Sequence, residues 1–165
     1  MYRSISIIAL VISVSSACGQ KSFDKKLEGM YRYTVPLITS DSLKTKLENS
    51  SVILIDTRSE SEFEVSHLNN ARMLIYDSYS ESDFDDIPMD AEVIVYCSVG
   101  YRSERIGEKM QKMGFTNVKN LYGGIFEWKN TDHTIVNENG VATDSVHTYN
   151  KDWSHWLKKG IKIYE

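Results

Sequence analysis

Cysteine is scarce in this chain: its 165 residues hold two, Cys18 and Cys97. A pair so few and so far apart leaves no disulfide framework, so the folded body must be stable through its core alone. There is no basic excess either. Nineteen Lys and Arg stand against 23 Asp and Glu, for a net charge of −4, which excludes the electrostatic footprint of a nucleic-acid or anionic-membrane binder. No apolar run approaches the roughly 20 residues that cross a bilayer. No internal repeat or low-complexity segment is present. His133, His147 and His155 show no metal-ligand spacing and have no second thiol to join them. No metal, no resident cofactor and no nucleic-acid partner is therefore expected. With 41% hydrophobic and 25% charged residues, what is present is one ordinary globular domain with an extension.

The first residues differ from the rest. "MYRSISIIALVISVSSAC" carries one positive charge at Arg3, an apolar run from Ile5 to Val14, and small residues before Cys18. That order is the pattern of an export signal. "SSAC" also resembles the lipobox of bacterial lipoproteins, with Ser15 where that family has a large aliphatic residue. The resemblance implies lipidation of Cys18 and a membrane anchor, and an ordinary signal-peptidase cut before Cys18 is the alternative. Both place the mature protein outside the cytoplasm. The expected organisation is a signal peptide over 1–17, a polar tether over 18–30, a domain over 31–132, and an extension over 133–165 packed on that domain.

In the body, helix and strand patterns alternate. Ser40 to Glu48 places Leu43 and Leu47 one helical turn apart behind a Ser40 or Asp41 cap. "VILID" (Val52 to Asp56) and "EVIVYC" (Glu92 to Cys97) are apolar runs suited to strands covered on both faces. A short helix is expected over Glu60 to Ser66, a strand over Arg72 to Tyr76, and a solvated loop or short helix over the acidic Asp77 to Asp86. Ser103 to Met113 predicts a helix closed by Gly114. "NVKNLYGG" predicts a strand and "GIFEWKN" a helix. In the extension, "NENG" predicts a turn between two β-prone pieces, and Trp153, Trp156 and Leu157 a helix ending at Gly160. The pattern is that of an α/β fold with a mainly parallel central sheet flanked by helices on both faces. Such sheets bind ligands at the carboxyl ends of their strands, and Cys97 lies at one of them.

"YCSVGYRSERIGEKM" (Tyr96 to Met110) surrounds that cysteine with a chemical context. If Ser98, Val99, Gly100, Tyr101 and Arg102 wrap the sulfur, their backbone N–H groups form an anion nest and the following helix adds its positive N-terminus. Gly100 permits the curvature, and Arg102 brings a fixed positive charge. Such a field favours the thiolate, which is the nucleophile.

Together with "IDTRSESEFEVSHLNNA" and "GFTNVKNLYGGIFEWK", this loop resembles the single-domain rhodanese family of sulfurtransferases over roughly Val35 to Asn130. Asp56, Arg58, Glu62, Phe63, His67 and Ala71 fall at that family's offsets, as do Gly114, Leu121, Gly123, Gly124 and Trp128. Ser66, Asn69 and Asn70 replace its Gly, Pro and Gly around the histidine. The resemblance implies a rhodanese-like fold and a ping-pong reaction through a Cys97 persulfide. A small anionic donor such as thiosulfate supplies the sulfur, and cyanide, an external thiol or a partner protein accepts it. Cys97 to Arg102 spans six residues, one fewer than in the related oxyanion phosphatases and arsenate reductases, which form the second reading. A non-catalytic sulfur carrier or anion-binding module is the third. Arg102 is expected to steer the anionic donor or to pin the loop. Asp56, Arg58, Glu62 and His67 are expected to support the site structurally, with Arg58 paired to Glu62, Asp56 bonding loop backbone, and His67 packed and hydrogen-bonded.

Overall fold

The computed structural model describes residues 22–164. The expected signal peptide over 1–17 and the lipid attachment at Cys18 lie outside the described residues. No helix among the described residues is long and apolar enough to cross a membrane.

The chain opens with helix α1 (22–28). It continues through β1 (Leu37–Ile38), α2 (Ser40–Asn49), β2 (Ile53–Asp56), α3 (Glu60–Val65), β3 (Arg72–Met73), β4 (Val93–Tyr96), α4 (Tyr101–Met113), β5 (Val118–Leu121) and α5 (Gly124–Asn130). β1 to β5 form one five-stranded sheet in the order β1-β5-β4-β2-β3, and every pairing in it is parallel. The alternation along β4 shows why both faces are covered. Ile94 and Tyr96 pack into one apolar cluster with Leu43 of α2 and Ile125 and Phe126 of α5. Val93 and Val95 pack into the other, with Ile106 and Met110 of α4. A strand buried on both sides has no polar face, which is why its sequence reads as a continuous apolar run.

The extension follows as β6 (Ile135–Val136), β7 (Ala142–Thr143), β8 (Ser145–His147), α6 (Lys151–Ser154) and β9 (Ile161–Ile163). β6 and β7 pair antiparallel around the expected Asn137–Gly140 turn, and β8 pairs parallel to β9. His67 and Val136 exchange backbone hydrogen bonds of 2.8 and 2.9 Å, which ties the extension to the domain.

Several elements differ from expectation, each for a visible reason. The tether expected over 18–30 is, from residue 22 onward, part of the body. Phe23 and Leu27, one turn apart on α1, are fully buried in the core, and Phe23 stacks on Trp156 at 5.4 Å. The amides of Arg32 and Thr34 then donate to the buried Glu104 carboxylate at 3.0 and 3.2 Å. The strand expected through Tyr76 ends at Met73. Leu74 N–H makes the last bond to Asp56, where β2 itself stops, and the chain turns at Ile75. α6 is a single turn, because Asn130 draws the following backbone to itself. Its amide donates to Trp156 O, and its carbonyl accepts from the Lys158 amide.

Candidate active site

Cys97 is the first residue beyond β4, the sheet's central strand, and only Ser98 to Gly100 separate it from α4. The helix begins two residues earlier than expected, so Tyr101 and Arg102 belong to its first turn rather than to a free loop. Gly100 caps it with φ +92°. A side chain there would be strained, and its Cβ would lie 2.1 Å from the Tyr31 hydroxyl.

The loop's carbonyls show how its amides are aimed. Cys97 O accepts from Ile125 N at 2.9 Å and Ser98 O from Phe126 N at 3.1 Å, both at the start of α5. Val99 O accepts from the Tyr31 hydroxyl at 2.6 Å. Gly100 O accepts from Asn120 Nδ2 at 2.9 Å, and Asn120 is itself held by Ser103 Oγ at 2.7 Å. In a trans peptide the N–H points opposite to the C=O. Fixing a carbonyl therefore fixes the direction of the amide in the same peptide. For the Val99–Gly100 peptide the result is direct: Gly100 N–H donates to Cys97 Sγ at 3.1 Å. The sulfur thus has an oriented donor and lies at the N-terminus of a 13-residue helix.

Glu62 and Arg102 form the site's buttress. Arg102 grips Glu62 with two hydrogen bonds of 2.8 Å, and Ser98 Oγ donates to the same carboxylate at 2.7 Å. Burial pushes the Glu62 pKa up, but the bonds and charge of Arg102, with Arg58 behind, outweigh it and hold the pKa at about 2. Burial likewise opposes the Arg102 charge. Glu62 and then the nearby Cys97 sulfur overcome that, so its pKa lies above the usual arginine value. The expected Arg58–Glu62 ion pair is therefore corrected: Arg58 pairs with Asp56 at 2.7 Å, fully buried, and Glu62 pairs with Arg102. Arg102, in the first turn of α4, directs its fork to Glu62 of α3 while its charge also bears on the Cys97 sulfur. Asp56 also accepts from the Arg58 backbone amide at 3.1 Å. His67 stacks flat on Phe63 at 3.8 Å and shares a 3.0 Å hydrogen bond with Phe63 O.

Cys97, Ser98 and Val99 floor a cavity of about 310 Å³. The expected loop residues Tyr101 and Arg102 line it, whereas Asp56, Arg58, Glu62 and His67 do not. Met30, Tyr76, Asp77, Tyr149 and Trp153 also line it, and none was singled out in the sequence as a site residue. Tyr31 and Asn120 were missed as well. The Tyr31–Val99 bond joins positions 68 residues apart, and no local pattern carries such a signal. Among the described residues no group of three or more His, Cys, Asp or Glu side chains is placed to hold a metal ion.

Comparison with known proteins gives this geometry a family. Residues 39–131 match the Rhodanese-like domain family. A sulfurtransferase of Allochromatium vinosum is 31% identical over 104 residues, covering 62% of this chain and 96% of that protein. A tRNA uridine(34) hydroxylase of Photorhabdus laumondii is 28% identical over 124 residues, covering 70% of this chain but only 32% of the hydroxylase. Among solved structures, a rhodanese-like domain protein from Staphylococcus aureus is 26% identical with a TM-score of 0.52, covering 56% of this chain and 90% of that one.

Proposed function

We propose, from the premise that this chain belongs to the rhodanese-like domain family, that it is a sulfurtransferase working through a persulfide on Cys97. The observation that carries this reading is the Gly100 N–H aimed at Cys97 Sγ at 3.1 Å, in a loop whose carbonyls from Cys97 to Gly100 are each held by a hydrogen bond. A sulfur nucleophile whose attack leaves the new charge one atom further out needs a short ring of donors around it and no general base.

The donor is thiosulfate or a similar sulfane-sulfur compound. The Cys97 thiolate attacks the outer sulfur, the S–S bond of the donor breaks, and sulfite leaves with the bonding pair. Cys97 is left as a persulfide anion, and total charge is conserved. An external thiolate or cyanide then takes the terminal sulfur and returns the Cys97 thiolate. Cys97 is the only free cysteine among the described residues, so the acceptor is a separate molecule or a partner protein. No resident cofactor is required by either step. Export and a lipid anchor at Cys18 belong to the same proposal, on the strength of the N-terminal sequence alone.

The phosphatase reading has less support. The loop from Cys97 to Arg102 is one residue shorter than that of the oxyanion phosphatases and arsenate reductases, and no second thiol among the described residues could resolve an intermediate on Cys97. Intact-mass measurement of the purified protein after thiosulfate treatment tests the proposal. One sulfur atom added at Cys97, absent in Cys97→Ala and released by cyanide or thiol, is expected. No added sulfur from thiosulfate or from an organic persulfide, or turnover of a phosphate ester, overturns it.

A further inference from the structure

The cavity over Cys97 is built differently from its floor. Three of its wall residues come from outside the family-matched span: Met30 follows α1, and Tyr149 and Trp153 belong to the extension. With Tyr76 and Tyr101 they line the cavity above the sulfur with aromatic and thioether surface. Tyr149 is held with φ +66°, a conformation uncommon for a bulky side chain and, where it occurs, a pointer to function. Its side chain stays 59% exposed although it lines the cavity, so core packing does not explain its placement. The backbone that carries Trp153 is anchored by the α6 cap, the Trp153 amide donating to the Asn150 side chain at 3.1 Å.

The charges are equally telling. The cavity is lined by one cation and one carboxylate, Arg102 and Asp77. Arg102 is neutralised by Glu62, and Asp77 stands at the rim. Lys26 and Arg105 lie over the rings of Trp153 and Tyr101, yet neither lines the cavity. A dianion entering here meets a single lining cation, Arg102, already paired with Glu62 and set against the Cys97 sulfur, together with the Asp77 carboxylate. Its volume of about 310 Å³ reaches the low end of the range of about 300–1,000 Å³ for cavities that enclose small organic ligands, far more room than an inorganic anion needs.

We propose that the substrate of this cavity is an organic persulfide or thiol with an apolar or aromatic body, in preference to thiosulfate. The proposal rests on the sulfurtransferase reading and narrows its substrate class. In the loading step the Cys97 thiolate attacks the terminal sulfur of R–S–SH. The donor S–S bond breaks, RS⁻ leaves, and Cys97–S–SH forms with the proton retained on the terminal sulfur. The reverse step delivers sulfur to RS⁻. Tyr149 and Trp153 hold R, and Asp77 disfavours donors of high negative charge.

Alkylation rates at Cys97 in the full chain test the cavity without requiring sulfur transfer. The reagents are iodoacetamide, N-benzyl-iodoacetamide and iodoacetate, with modification read on the Cys97 peptide. The benzyl reagent is expected to outpace iodoacetamide, and iodoacetate to lag. Tyr149→Ala, and Trp153→Leu as a second variant, should each lower the benzyl-to-parent rate ratio roughly five- to tenfold. Asp77→Asn should raise the iodoacetate-to-iodoacetamide ratio about two- to fivefold. Unchanged ratios in these variants overturn the proposal, as does a higher kcat/KM for thiosulfate than for benzyl persulfide. Absence of sulfur uptake from both donors would instead defeat the sulfurtransferase reading, while the alkylation ratios still report on the cavity.

Discussion

The Tyr31 hydroxyl serves two loops at once, donating to Val99 O at 2.6 Å and accepting from Gly123 N at 3.0 Å. Burial holds its pKa far above that of an ordinary tyrosine, so it remains a donor at every working pH. By fixing the Val99 carbonyl it aims the Gly100 amide at the sulfur, and this makes it a positioning residue. Tyr31→Phe keeps the ring but orphans two buried backbone groups, at a cost of about 1–3 kcal/mol. The same variant should slow Cys97 sulfur loading about tenfold in kcat with little change in KM, as single-turnover kinetics would show. Glu62 has a different signature. Its pKa falls from 4.5 in the unfolded chain to about 2 in the fold. The carboxylate therefore contributes stability that is fully present above about pH 4.5 and is lost as pH falls toward 2, a contribution on the order of 3 kcal/mol. Glu62→Gln should remove it. Denaturant titrations at pH 7 and pH 3 should show a large difference from wild type at the first and a much smaller one at the second.

Among the elements, α1 shows how a short amphipathic segment can be overlooked. Phe23 and Leu27 have i, i+4 spacing, but two apolar residues among lysines and acids look like solvated chain until a surface exists for them to cover. Here that surface includes Trp156 from the other end of the sequence. Phe23→Ala should therefore cost about 3–5 kcal/mol, measured by denaturant unfolding, whereas a true tether would show almost no change. α3 was legible to within one residue, expected over Glu60 to Ser66 and observed over Glu60–Val65. Ser59 and Glu62 form a capping box, and the Ser-x-x-Glu spacing announces it locally. That Glu62 also reaches Arg102 was not legible, because a side chain's second partner is chosen by packing.

For the whole molecule, the two terminal segments matter most. Each lies outside the family-matched residues 39–131, each packs on the same core cluster, and each sends residues to the Cys97 cavity. The domain supplies the nucleophile and its loop, and the flanking segments supply the walls. The sequence by itself determined the parallel α/β order, the place of Cys97 at a strand's carboxyl end, the glycine-bearing loop before a helix, and the family. These rest on local periodicity, turn chemistry and spacing, all of which are written within a few residues. Only the tertiary structure decided that Glu62 takes Arg102 and Asp56 takes Arg58, that Tyr31 orients the sulfur's donor, and that Met30, Tyr149 and Trp153 enclose the site. Such contacts join residues tens of positions apart, and their partners are selected by shape and burial once the sheet and its helices have assembled.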